Sequence, residues 1–553
     1  MSALLSLAVL PVVLPLVATA ALLIIGESRR RLGSIVNMAA TLAGLVVATL
    51  ILWQVDAAGE AGAIAVYLTA NWPAPYGITV VADRLSALML VMAGLVGVGT
   101  ALYASAGWSR AGSYFFPLLQ ILLMGVNGAF LTGDLFNLFV FFEVMLAASY
   151  GLQLHGSGAP RVQSGLHYIA INLLASSLFL IGLAVIYGVM GSLSMADVAA
   201  RMPLVAESDR GLLHIGAVML AMAFLIKAAI WPLNAWLVPA YTASSVPVAA
   251  LFVVMTKVGL YAILRLWTLL FPAGAEVSAQ FGASFLFAGG LLTLCFGALG
   301  VLASIRLDRI AAFSVIVSSG TLLAAFAVGS IEVGSAALFY LVNATLATSA
   351  LFLLVEVVKR TRSETQTRHL DAEALPDEDD NLDDNALPLV GRAFPISVAG
   401  LALAFLVCAL LVAGLPPLAG FLAKAALLQA LVHQLPATEM NPSTIGPHGT
   451  WLMIVLIVSS GLFATISLAR AGIRHFWLKG GVLASQLRAA EAGAVLLLLL
   501  ASLGLAVFAE PALRYTQATS RYLHAPQPYV DAVLGARARP GPATPAIDEG
   551  SVR

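Results

Sequence analysis

The chain has five lysines, and three of them, Lys227, Lys257 and Lys424, lie inside long apolar runs. Lys257 is eleven residues into its run, close to the middle. Lys227 stands in Ala-Phe-Leu-Ile-Lys-Ala-Ala-Ile-Trp-Pro, just ahead of Pro232, and Lys424 follows the sequence Gly414-Leu-Pro-Pro. A single acid matches them: Glu143, nine residues into the run that opens at Asp134. A lysine at the centre of a membrane helix costs roughly 2.5–3.5 kcal/mol on insertion scales, so three of them need a reason. Snorkelling to the interface suits Arg265, near the end of its run, but Lys227 and Lys257 are too far from either edge. A structural Lys–Glu pair would account for Glu143 and one lysine and leave the other two unexplained. A proton path accounts for all of them, because a buried lysine can release and rebind a proton where an arginine stays charged. Only five of the 28 lysines and arginines are lysines, yet the deep positions hold lysine. With Glu143 beside Lys227, the two would titrate as a coupled pair.

Other polar residues carry less. His167 and His214 could relay protons, but each is near the end of its run, where a packing or interface role is the commoner one. Asp83-Arg84 reads as a local ion pair or a surface anchor, and Asp134 as a complement to the dipole of the helix it opens. Cys295 and Cys408 fall inside apolar runs and read as small packing residues rather than a disulfide or metal site.

The elements that must position these groups follow from composition. The chain has 553 residues, 60% hydrophobic and 10% charged, with a mean hydropathy of +0.96. Apolar runs of membrane-spanning length recur from end to end without period-two alternation, so the expected fold is an all-α polytopic membrane protein. Fourteen spans are read near 3–25, 33–53, 80–104, 113–131, 134–154, 164–190, 212–238, 246–270, 283–303, 308–328, 333–357, 393–433, 451–475 and 489–509. The stretch 393–433 is too long for one crossing and holds the Gly414–Pro417 break, so it is read as a broken helix. Loops joining odd to even spans hold most of the positive charge, including Arg29–Arg31, Arg306, Arg309, Lys359 and Arg360; those joining even to odd spans hold only Arg201 and Arg210. That asymmetry predicts an inner-membrane protein with both termini periplasmic, the first apolar run being a span and not a cleaved signal. Residues 1–510 form the expected membrane domain and 358–392 an acidic cytoplasmic loop, read as solvated chain or a docking site for a partner subunit. Residues 511–553 form a periplasmic tail, loose from about Gln527. A net charge of zero gives no reason to expect a nucleic-acid partner.

Two of the three lysines adjoin helix breaks, at Trp231-Pro232 and Pro416-Pro417. Interrupted spans in matching positions of two halves point to a transport site between inverted repeats. The segments around Gly128–Leu152, Lys227–Pro239, Met255–Tyr261, Asp83–Leu88 and Gly414–Lys424 carry a resemblance. They resemble the D subunit of the Mrp-type (Pha, Mnh) multisubunit cation/proton antiporters, over about residues 1–510. The same superfamily includes the antiporter-like subunits of respiratory complex I and of membrane-bound hydrogenases. The resemblance implies fourteen helices with two inverted five-helix repeats, each with a broken helix. It implies Glu143 and Lys227 as the charged pair at the channel mouth, Lys257 as the next relay and Lys424 as the terminal lysine. It implies a transporter subunit rather than an enzyme, with no cofactor of its own, surrounded by membrane lipids and working inside a hetero-oligomer that exchanges Na+ or K+ for protons. The alternative within the superfamily is a proton-pumping subunit of a complex I-like or hydrogenase machine.

The chain departs from those relatives in two places. After the lysine helix it reads Trp236-Leu-Val-Pro-Ala-Tyr241 where complex I relatives usually read Trp-Leu-Pro-Asp-Ala-His. The eleventh span reads Asn343-Ala-Thr-Leu-Ala-Thr348, without a titratable group. The middle of a proton path would have to run through water or through hydroxyls such as Thr345, Thr348 and Ser349.

Overall fold

The computed structural model describes residues 7–59, 64–107, 112–272, 274, 278–372, 396–440, 445–477 and 488–538. Twelve of the described helices are long and apolar enough to cross a membrane. Shorter apolar helices at Leu10–Ile25 and Phe115–Leu131 complete the expected fourteen spans, and Ala419–Leu435 is the second half of a broken one.

In chain order the first helices are α1 (Leu10–Ile25), α2 (Arg30–Ala57), α3 (Arg84–Ser105), α4 (Phe115–Leu131), α5 (Leu135–Leu154) and α6 (Ala159–Met190). A short antiparallel hairpin, β1 (Ala65–Leu68) with β2 (Thr79–Ala82), joins α2 to α3. After the short α7 (Met195–Arg201), α8 (Glu207–Lys227) ends at its lysine, and the chain resumes helix as α9 (Leu237–Ala243). Next come α10 (Val246–Leu270), α11 (Ala283–Ala303), α12 (Leu307–Ala327) and the long α13 (Ile331–Ala372). The second break separates α14 (Ile396–Ala413) from α15 (Ala419–Met440), and α16 (Pro447–Gly472) and α17 (Ala489–Val507) close the bundle. The breaks fall in the seventh and twelfth spans, five apart, as two five-helix repeats require.

Helix starts are set by local chemistry. The Asp83 carboxylate accepts from the Ser86 N–H at 2.9 Å while the Ser86 hydroxyl takes the Asp83 N–H at 2.8 Å, a capping box for α3. Asp134 caps α5 through the Asn137 N–H at 2.8 Å, in keeping with its expected place at a helix start. Proline occupies the first turn of α6, α10 and α16, where its missing N–H costs nothing.

A helix apolar on every face can be covered by lipid or by other helices, and burial tells the two apart. The most apolar 18-residue stretch is wholly buried in α13, 94% buried in α10 and 89% buried in α12. These three form the centre of the bundle, and two of them, α10 and α13, carry Lys257 and Asn343. Gly259 lets α10 come close to the end of α8: a Cβ there would lie 2.9 Å from the Phe224 carbonyl oxygen and the Ala228 nitrogen. Cys295 on α11 and Cys408 on α14 are both free thiols.

The tail is not loose from Gln527. Residues Ala509–His524 form α18 and Gln527–Leu534 form α19, with Tyr515, Tyr522, Tyr529, Val530 and Val533 buried. The reason is composition at finer grain: tyrosines and valines recur at helical spacing among the prolines and alanines. The acidic run Asp377–Asp380, within the loop expected at 358–392, lies outside the described residues. Helix α13 carries on to Ala372, into the first part of that loop.

Candidate functional site

The charged side chains that the sequence singles out can be followed through the bundle in chain order, starting on α5. Glu143 is half-buried and accepts a hydrogen bond from the Ser176 hydroxyl of α6. Lys227, at the last turn of α8, is 4% exposed, and its ammonium lies 4.9 Å from the centre of the Phe142 ring. Its Nζ has no hydrogen-bond partner among the described residues. Glu143 and Lys227 are therefore not a direct ion pair: no contact within 4.0 Å joins them, although the carboxylate is within Coulombic reach of the ammonium. An ammonium held by a ring face and a charge at a distance has no fixed hydrogen bond to break.

Lys257 is fully buried, and its ammonium donates to the Ser318 hydroxyl of α12 at 2.6 Å. Ser318 in turn donates to the Val315 carbonyl at 2.8 Å. Helix α12 lies directly against α10 at this level, so a hydroxyl 61 positions on in sequence becomes the partner of the deepest lysine.

Lys424 stands on α15 and reaches back into the second break. Its Nζ donates to the Ala413 carbonyl at 2.7 Å, an oxygen left without a helical N–H where α14 stops. Gly414 turns the chain there with φ +77°. A Cβ on Gly414 would meet Lys424 Cδ at 2.5 Å, and one on Gly461 would lie 3.3 Å from Lys424 Nζ. Both glycines are the walls of the lysine's slot.

A small cavity of about 30 Å³ joins these last two places, its wall including Ser318, Tyr340, Asn343, Thr348, Lys424 and Ser460. Of the three hydroxyls expected to act as relays, Thr348 faces this space. Thr345 and Ser349 do not line it: Thr345 bonds the Leu341 carbonyl one turn back at 2.7 Å, and Ser349 bonds the Ala250 carbonyl of α10 at 2.9 Å. His214 lies apart from the row, with Nε2 3.0 Å from the Ser278 hydroxyl and its ring stacked on Phe281 at 4.0 Å. His167 is exposed on the outside of α6.

Arg265 does not snorkel. It is 5% exposed and grips both oxygens of Asp83, Nη1 to Oδ2 at 2.5 Å and Nη2 to Oδ1 at 2.7 Å. Nor is Asp83-Arg84 a local pair: Arg84 reaches Asp56 instead, at 2.7 Å. Tyr529 of α19 lies 5.3 Å from the Arg265 guanidinium and covers the pair. Geometry decides this, since a bidentate carboxylate with aromatic cover holds a guanidinium more firmly than the interface does.

Ser176, Ser318, Tyr340 and Asn343 are not among the residues that the sequence marks for the site. A serine or asparagine in a membrane helix is an ordinary packing residue until its partner is known. The usable signal is that Ser318 and Asn343 fall within two of the long apolar runs, where a polar side chain needs a partner on another helix.

Comparison with known proteins agrees with this architecture. Residues 132–441 match the family model described as NADH:quinone oxidoreductase/Mrp antiporter, TM. The chain is 46% identical over 531 residues to a protein of Rhizobium meliloti named as the D subunit of a probable K(+)/H(+) antiporter, covering 96% of this chain and 97% of that one. It is 30% identical over 539 residues to the Na(+)/H(+) antiporter D subunit of Alkalihalophilus pseudofirmus, covering 96% and 99%. A chain in the solved structure of the Mrp complex from Dietzia sp. superposes with a TM-score of 0.79 at 26% identity, over 97% of this chain and 100% of that one. With a family match across more than half its length and two relatives aligned nearly end to end, this multi-pass membrane protein belongs to the NADH:quinone oxidoreductase/Mrp antiporter transmembrane family.

Proposed function

We propose that the chain is the proton-translocating subunit of a multisubunit monovalent cation/proton antiporter, exchanging Na+ or K+ for protons under the proton motive force. The observation that carries this reading is the row Glu143, Lys227, Lys257 and Lys424, with Lys257 bonded to a serine that lines the same cavity as Lys424. In this reading a proton arriving at Glu143 weakens its hold on the Lys227 charge, and Lys227, bound by no fixed hydrogen bond, passes its proton inward. Lys257 and Lys424 take it onward, each on a group that can accept its ammonium hydrogen. The work is that of a secondary transporter, with the other subunits of the complex as partners.

The second reading, a pump subunit of a redox-driven complex, shares the fold. The 46% identical relative named as an antiporter subunit favours the first. The lopsided placement of arginine and lysine favours an inner-membrane orientation with both ends periplasmic and the acidic segment cytoplasmic.

Two variants test the path. In vesicles carrying the assembled complex, Glu143→Gln and Lys227→Ala are each expected to lower cation-induced proton movement on the order of 100-fold, the low end for a positioned proton-transfer group. Normal exchange by both assembled variants sinks the assignment. A third variant addresses the slot in the second break. Gly414→Ala puts a methyl 2.5 Å from Lys424 Cδ at a φ of +77°, so it is expected to displace the lysine and cut exchange while the complex still assembles. Wild-type exchange by that variant would show that the position of Lys424 does not matter.

A further inference from the structure

Between Lys257 and Lys424 the cavity wall holds no carboxylate or imidazole among the described residues, and its one ionisable group besides Lys424 is the Tyr340 phenol. Helix α13 crosses that gap and presents Asn343 and Thr348 to the cavity. Ser318 and Lys424 both line the same space. The Ser318 hydroxyl has one proton and two lone pairs. Its proton is engaged by Val315 and one lone pair by Lys257, which leaves the second lone pair to face the cavity. Asn343 is 2% exposed, and its carboxamide oxygen is buried without a partner among the described residues. A buried acceptor left unmet costs about 1–3 kcal/mol, so such groups mark the places where ordered water sits.

One water needs on the order of 10–15 Å³ and two to four polar partners. The cavity of about 30 Å³ offers room for about two, and Asn343, Ser318, Thr348 and Lys424 supply the partners.

We propose that Asn343 anchors a pair of waters that carries the proton from Lys257 to Lys424, doing with a carboxamide what a titratable side chain would otherwise do. This rests on the reading of the lysines as a proton path. The transfer balances without a co-reactant. An N–H of the Lys257 ammonium breaks as its proton passes to Ser318 Oγ, and the serine's own O–H turns from Val315 and gives its proton to the first water. That water gives a proton to the second, which gives one to neutral Lys424, where the new N–H forms. One positive charge moves, and each oxygen ends with the number of protons it began with. Asn343 exchanges no proton; it is a positioning residue, and Thr348 offers a second hydroxyl along the same wall.

The test uses the assembled complex in vesicles, with cation-induced proton movement followed against pH. Asn343→Leu keeps the branched shape and removes the anchor; it is expected to slow exchange on the order of 100-fold while assembly and melting temperature hold or improve, because an unmet polar group is gone. Ser318→Ala is expected to slow it as well, and Ser318→Thr to restore it. Asn343→His places a titratable ring in the same space, so it is expected to recover exchange with a new pH dependence near the imidazole range of about 6.5. Lys424→Ala, run beside them, tests the underlying path. Normal rates for Asn343→Leu and Ser318→Ala with Lys424→Ala inactive would overturn the water crossing and leave the lysine path standing. Normal rates for all three would overturn both. A slow Asn343→Leu that Asn343→His neither rescues nor shifts in pH would reduce Asn343 to a packing role.

Discussion

Lys257→Met is expected to stop cation-coupled proton movement, by on the order of 100-fold or more, in a complex that assembles normally and melts no lower than the parent. The two halves of that expectation come from the same geometry. Lys257 is fully buried, and among the described residues no carboxylate is bonded to it and its hydrogen bond goes to Ser318. Methionine has nearly the same length and no charge, so it removes a desolvation cost and leaves the Ser318 hydroxyl still bonded to Val315. A lysine kept for stability would behave the other way, its loss lowering the melting temperature. Measuring both quantities on one preparation separates the roles. Unaltered transport by the assembled Lys257→Met complex would remove the central member of the path.

Arg265→Met should act in the opposite sense, on stability before transport. Asp83 is 1% exposed, and removing the guanidinium leaves a buried carboxylate that keeps the Ser86 N–H and hydroxyl, with the Tyr522 phenol nearby, but no cation. Breaking one side of a buried ion pair costs about 3–5 kcal/mol, enough to reduce the yield of assembled complex and its melting temperature sharply. The pair itself is no such asset when removed together. Asp83→Ser/Arg265→Met keeps a capping hydroxyl for α3 and removes both charges, so most of the loss should be recovered. Melting curves of the detergent-solubilised complex check this. A single mutant as stable as the parent, or a double mutant no better than the single, contradicts the account.

The contrast between these two buried cations explains what a sequence can tell. Depth within an apolar run is a local property, so Lys227, Lys257 and Lys424 stand out at once, and the proline and glycine beside two of them mark the breaks. Partnership is not local. Arg265 meets a carboxylate 182 positions away, and Lys257 a hydroxyl 61 positions away, and nothing in the spacing of either residue announces the other. The place of Arg265 near the end of its run therefore points to the interface, while in the fold the side chain reaches inward. The hydroxyl relays divide for a similar reason. Thr345, Thr348 and Ser349 lie within five residues on one helix, but its 3.6-residue turn aims only Thr348 at the cavity, on the stripe that also holds Asn343, Ala344 and Ala347. In the terminal segment, average composition hides the spacing of the tyrosines, and the spacing is what makes it fold.

Those tyrosines have a consequence in time. Helices α18 and α19 bind over residues contributed by much earlier parts of the chain: Tyr515 donates to the Arg84 carbonyl at 2.8 Å, Ser520 donates to the Ile331 carbonyl at 2.8 Å, and the Tyr529 ring covers Arg265. A ribosome makes all of those earlier residues first. The Tyr529 ring therefore reaches the Asp83–Arg265 pair after every residue of the proposed path has been made, joining the Tyr261 ring that already lies 5.6 Å from the guanidinium. A product that stopped before α19 would reach the membrane with Glu143, Lys227, Lys257 and Lys424 in hand and without the tyrosine ring that α19 lays over that pair.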